Sequence, residues 1–86
     1  MAELLPRITA EFGETIAPRV VDILTLGEYA WHDCYGEPSP PPAVIDDIFV
    51  VSQGDLHCLI EAVLLAVTDS RDLRLAADAQ RQGLAY

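Results

Sequence analysis

Four side chains able to bind a metal form two helical pairs. Glu28 and His32 are four residues apart, and so are His57 and Glu61, so each pair shares one helix face. If the two faces meet, two imidazoles and two carboxylates provide a site for a divalent metal or for general acid–base chemistry. Both pairs lie about 100° from the apolar stripe of their helix, whereas metal sites in bundles project into the core. We therefore expect ordinary surface pairs with no metal or cofactor, and we keep the metal site as an alternative.

The two cysteines offer little catalytic chemistry. Cys34 lies two residues from His32 and Cys58 lies next to His57, so on a helix each thiol points about 100° to 200° away from the nearby imidazole. Neither of these histidine–cysteine pairs can direct two ligands at one zinc ion, and in neither can the imidazole act as a base for the thiol. The chain also has no lysine and no glycine-rich phosphate loop. We expect two buried free thiols and no catalytic residues. The sequence therefore favours a noncatalytic protein over an enzyme.

Apolar residues recur at helical spacing along most of the chain and predict an all-α, single-domain bundle of four or five helices spanning residues 1–86. The second helix, 15–35, is expected to begin at Thr15 and end at Gly36. Four of the six prolines lie in 37–42, which predicts a stiff extended connector. The remaining predicted helices cover 3–12, 43–51 and 70–82, together with a fourth helix that starts at Ser52 and has an apolar repeat running to Val67. Ser39 is expected to cap the third helix, a capping box of Ser52 and Asp55 to open the fourth, and Asp69 to cap the last.

The predicted core lies between the second, third and fourth helices. The fourth is apolar around most of its circumference, which is typical of a central helix. In the third helix, Ile48 and Phe49 are expected to point inward, whereas Asp46 and Asp47 are expected to point outward. Ile60 is assigned to the buried stripe of the fourth helix.

Composition and charge exclude several classes of protein. The chain is 51% hydrophobic and 22% charged, too apolar for a disordered segment, and its net charge of −9 argues against direct binding to nucleic acid. A nucleic-acid mimic remains an alternative, although the acid is sparse for that role. The longest apolar run, 62–67, is too short for a membrane span, and no signal peptide pattern is present. We expect a cytoplasmic protein, and arginine used without lysine suggests a bacterial source.

The charges are distributed unevenly. Twelve of the 14 acidic residues lie at or before Asp69, whereas three of the five arginines follow it. Arg71, Arg74 and Arg81 are spaced by three and seven residues and form a stripe along the last helix. Besides a solvated face, this stripe is expected to dock on an acidic patch of a second copy.

Surplus apolar surface on the second helix also favours contact with another chain. Val21, Leu26 and Tyr29 lie off the stripe that faces the core. The acidic residues beside the connector, Glu37 with Asp46 and Asp47, are expected to attract a basic protein partner. The sequence thus predicts a noncatalytic interaction or regulatory module that forms a homodimer.

Overall fold

Five α-helices follow one another in the computed structural model, which describes residues 2–83. A 3₁₀ turn at Ala2–Leu4 leads into the helices, which are α1 Leu5–Phe12, α2 Ala17–Tyr35, α3 Pro42–Ser52, α4 Leu56–Thr68 and α5 Ser70–Arg81. Residues 2–83 contain no strand, which confirms the predicted all-α bundle of four or five helices. Within the same range, no helix combines the length and hydropathy needed to cross a bilayer.

Several helix ends follow the local signals in the sequence. Gly36 adopts the left-handed conformation after α2, with φ of 72°, which a glycine adopts at little cost. The Asp55 carboxylate accepts the backbone N–H of Cys58 at the start of α4, and the Asp69 carboxylate accepts two backbone N–H groups at the start of α5. These caps satisfy donors that have no partner within the helix.

Three predicted caps are wrong. Thr15 does not cap α2, which begins at Ala17 and holds Pro18 in its first turn. Ser39 does not cap α3, because the helix starts at Pro42, directly after Pro41. Proline presets the backbone angle of a first turn and has no N–H to satisfy, so these helices begin without a side-chain cap. Ser52 ends α3 instead of opening α4, and its hydroxyl donates to the carbonyl of Phe49 at 2.9 Å.

All five helices contribute to one hydrophobic core. α3 packs against α4 and α5, and α4 also packs against α2, so α3 shares with α4 the central position predicted for α4 alone. Phe49 is fully buried, and the rings of Phe12 and Phe49 meet edge to face with centroids 6.4 Å apart. The buried cluster consists of Ile8, Phe12, Val20, Leu24, Ile48, Phe49, Leu59, Ala62, Ala66 and Leu73.

Three predictions of burial are wrong. Asp47 is 1% exposed rather than outward, because α5 covers the side of α3 on which it lies. Ile60 is half exposed, since the face of α4 that enters the core contains Leu59, Ala62 and Ala66 instead. Cys34 is exposed and Cys58 is only half-buried, and both are free thiols. The predicted pair of buried thiols is therefore absent.

Candidate protein interface

A cluster of arginines and aspartates joins α1, α3 and α5. Arg81 Nη2 donates to Asp46 Oδ2 at 2.6 Å and to Asp47 Oδ1 at 2.8 Å, and Arg74 Nε donates to the other oxygen of Asp47 at 2.8 Å. On the opposite side, Arg7 Nη1 donates to Asp46 Oδ1 at 2.8 Å. The hydrogen bonds from Arg7 and then Arg81 lower the pKa of Asp46. We call these five residues the aspartate–arginine cluster.

The aspartate–arginine cluster changes the interpretation of the predicted charge surfaces. Arg74 and Arg81 already hold acidic partners within their own chain, because α3 and α5 are neighbours although the paired residues are 27 to 35 positions apart. Asp47 is buried among these contacts and cannot be presented to a partner protein. Arg71, at the start of the same stripe, is exposed and makes no side-chain hydrogen bond within residues 2–83.

Glu37 also has a partner within the chain. Its Oε1 accepts the indole N–H of Trp31 at 3.0 Å. Trp31 is buried, and its ring lies 4.3 Å from the ring of Tyr35. Glu37 thus fixes the start of the proline connector onto the end of α2, and it lies apart from the aspartate–arginine cluster. The predicted acidic patch of Glu37, Asp46 and Asp47 is not one open surface.

The four candidate metal ligands remain two separate pairs. His57 Nε2 lies 2.9 Å from Glu61 Oε1 on the exposed face of α4. Glu28 and His32 line an open depression on α2 together with Pro38. Within the described part of the chain, no three histidine, cysteine, aspartate or glutamate side chains are arranged to hold a metal ion. The predicted site with two histidines and two carboxylates is therefore not formed.

Two features of the described residues bear on catalytic chemistry, the Cys58 thiol and a cavity between α2, α3 and α4. A hydrogen bond to Asp55 raises the pKa of the Cys58 thiol, and this disfavours the nucleophilic thiolate. A cavity of about 60 Å³ lies between α2, α3 and α4 and includes Leu24, Ile48 and Val63 in its lining. Small-molecule sites usually enclose about 300 to 1,000 Å³.

The feature with the clearest potential for binding is the seam between α2 and α4. These helices run in the same direction: Gly27 lies against Val63, and the hydroxyl of Tyr35, further along α2, donates to the carbonyl of Val67, further along α4. α4 directs Leu59, Ala62 and Ala66 into the core. The opposite side of the seam, away from α3, therefore remains open.

Large aliphatic side chains cover this open side. From the helical period and the parallel direction of the helices, one face contains Leu26 of α2 together with Ile60 and Leu64 of α4. Leu26 is 68% exposed and Leu64 is 61% exposed. Half-buried Ile23 and Ala30 complete the patch on α2. We define the α2–α4 face as Ile23, Leu26, Ala30, Ile60 and Leu64.

Of the three apolar residues predicted for an interface, Leu26 and Tyr29 lie at the α2–α4 face and Val21 does not. Tyr29 is 68% exposed and lies one helical turn from Leu26, at the edge of the α2–α4 face. Val21 is half-buried and packs against the core cluster, so it lies outside this face. Sequence reasoning missed Ile60 and Leu64 because it assigned the apolar residues around α4 to packing on several sides of that helix.

Comparison with protein-family models finds no family that matches the chain, and comparisons with curated proteins and with solved structures likewise find no match.

Proposed function

We propose that this protein is a noncatalytic interaction module that forms a homodimer through the α2–α4 face. The observation that carries the proposal is the exposure of Leu26, Ile60 and Leu64 side by side in a chain of only 86 residues. A short chain buries a smaller share of its surface than a large one, so covering this face in a dimer adds stability that the monomer lacks.

The chemistry of the surface supports the same proposal. The chain has a net charge of −9, yet the five residues of the α2–α4 face are all uncharged. Protein interfaces are depleted in charge at their centre and polar at their rim. Two acidic molecules can bring this face together at its centre, with the exposed acidic residues Asp22 and Glu61 at its rim. The acidic residues that remain outside then form the surface that attracts a basic protein partner.

The proposed setting is the cytoplasm. Cys34 is exposed and Cys58 is half-buried, and neither forms a disulfide. Free accessible thiols are compatible with a reducing compartment.

Matched leucine variants test the proposal. Leu64→Glu places a charge on the α2–α4 face, whereas Leu75→Glu makes the same change at an equally exposed leucine on α5, 61% in both cases. Light scattering over a range of protein concentrations should give a dimer for the wild type and for Leu75→Glu. The Leu64→Glu variant should dissociate at concentrations at least tenfold higher. A wild-type protein that is monomeric throughout, or equal dissociation of both variants, would refute the proposal.

A further inference from the structure

Two exposed residues of opposite charge, Arg19 and Asp33, lie at opposite ends of the α2 part of the α2–α4 face. Arg19 is exposed and, within residues 2–83, its side chain makes no hydrogen bond or ion pair. The Asp33 side chain is 86% exposed, and its carboxylate lies 4.0 Å from Nδ1 of the adjacent His32. Positions 19, 23, 26, 30 and 33 recur at spacings of three and four residues, so both charges share one side of the helix with Leu26.

Both charged residues interact unfavourably with the dipole of their own helix. Arg19 lies in the first turn of α2, where the helix dipole disfavours a positive charge, and Asp33 lies in the last turn, where it disfavours a negative charge. Neither residue stabilises the isolated helix. A second helix running in the opposite direction reverses both relationships, because its negative end lies beside Arg19 and its positive end beside Asp33.

The spacing fixes the arrangement of such a pair. Leu26 is seven residues from Arg19 and seven from Asp33, which is about 10.5 Å along the helix in each direction. An antiparallel pair of α2 helices that cross at Leu26 therefore places Arg19 opposite the partner's Asp33, twice in each dimer. A parallel pair would place Arg19 beside the partner's Arg19, where the two charges repel.

We infer that two copies of this chain associate about a two-fold axis at Leu26, with antiparallel α2 helices and reciprocal ion pairs between Arg19 and the partner's Asp33. This inference rests on the proposed function and adds the geometry of the dimer. A two-fold interface requires a self-complementary surface, which Arg19, Leu26 and Asp33 provide. The aliphatic residues of α4 flank the crossing point and enlarge the contact.

Charge reversal at the two ends tests the inference. Arg19→Glu places two glutamate–aspartate pairs in the homodimer, and Asp33→Arg places two arginine–arginine pairs there. Each variant should dimerise about tenfold more weakly than the wild type. When the two variants are mixed, both pairs become opposite in charge, so heterodimers should exceed the half expected from random exchange. The double variant Arg19→Glu/Asp33→Arg should dimerise as tightly as the wild type.

Native mass spectrometry of an isotope-labelled mixture gives the heterodimer fraction directly. Arg71→Glu and Glu14→Arg are matched controls, because both residues are exposed and neither lies on α2. A mixture of the two control variants should form the heterodimer fraction of one half that random exchange of subunits gives. If the wild type dimerises and the Arg19→Glu and Asp33→Arg mixture also exchanges at random, the antiparallel geometry is wrong while the proposed function stands. If the wild type is monomeric, both are wrong.

Discussion

Gly27 of α2 lies directly against Val63 of α4, with so little space between the helices that a Cβ atom at Gly27 would lie 2.8 Å from Val63 Cγ1. This close approach brings the two halves of the α2–α4 face together. A glycine in the middle of a helix destabilises it by about 1 kcal/mol relative to alanine, so its presence here reflects packing.

Substitution at this contact should therefore destabilise the fold despite a gain in helix propensity. Overpacking costs about 1 to 3 kcal/mol, so Gly27→Ala should lower the free energy of unfolding by about 1 kcal/mol in urea titrations. Adding Val63→Ala removes the overlapping methyl group and should reduce the loss caused by Gly27→Ala. A Gly27→Ala protein more stable than the wild type would show that the helices are not held this closely.

The two neighbouring aspartates of α3 should differ in their contribution to stability. Asp47 is buried beneath Arg74 and Arg81, whereas the side chain of Asp46 is 46% exposed. Removing one member of a buried ion pair costs about 3 to 5 kcal/mol, and an exposed pair contributes about 1 kcal/mol or less. Asp47→Asn should therefore lower the melting temperature several times more than Asp46→Asn. Equal effects in thermal unfolding would contradict the burial of Asp47.

Acid should weaken the aspartate–arginine cluster. The arginines lower the pKa of Asp46 below its ordinary value of 3.8, so the unfolded chain takes up a proton here before the folded chain does. The stabilisation is present above about pH 4 and is lost as the pH falls through the lowered pKa. Chemical unfolding measured between pH 5 and pH 2 should show a shallower decline for Asp46→Asn than for the wild type. Identical slopes would show that Asp46 is not stabilised in its charged form.

The hydrogen bond between Trp31 and Glu37 can be tested by fluorescence. Glu37→Ala leaves the buried indole N–H without its acceptor, which should cost about 1 to 3 kcal/mol. Glu37→Gln keeps an acceptor oxygen and should retain most of the stability. Trp31 is the only tryptophan, so the tryptophan emission comes from this residue alone. We expect a shift in emission for Glu37→Ala and little change for Glu37→Gln, and no difference between the two variants would argue against the contact.

The sequence predicted the helices well because their signals are local. The end of α2 at Gly36 and the Asp69 cap of α5 depend on residues within one turn, and these predictions are confirmed. The pairing of Asp47 with Arg81 could not be predicted, since it depends on α3 packing against α5 across 34 positions. Two adjacent aspartates in an apolar helix are expected to point into solvent, and only the packing of α5 against α3 shows that Asp47 does not.

The candidate interface was only partly predictable for a similar reason. Periodicity placed Leu26 and Tyr29 off the core stripe of α2, and both are exposed as expected. Periodicity also placed Ile60 in the core, because α4 is apolar on most sides and its sequence does not show which side lacks a neighbouring helix. That information lies in the parallel packing of α2 and α4.

Contact between two copies at the α2–α4 face can be observed most directly by isotope-filtered nuclear Overhauser spectroscopy on a mixture of labelled and unlabelled protein. We predict intermolecular cross-peaks from the methyl groups of Leu26, together with those of Ile60 and Leu64, and none from Leu75. Cross-peaks confined to α5, or no intermolecular cross-peaks at millimolar concentration, would contradict this prediction.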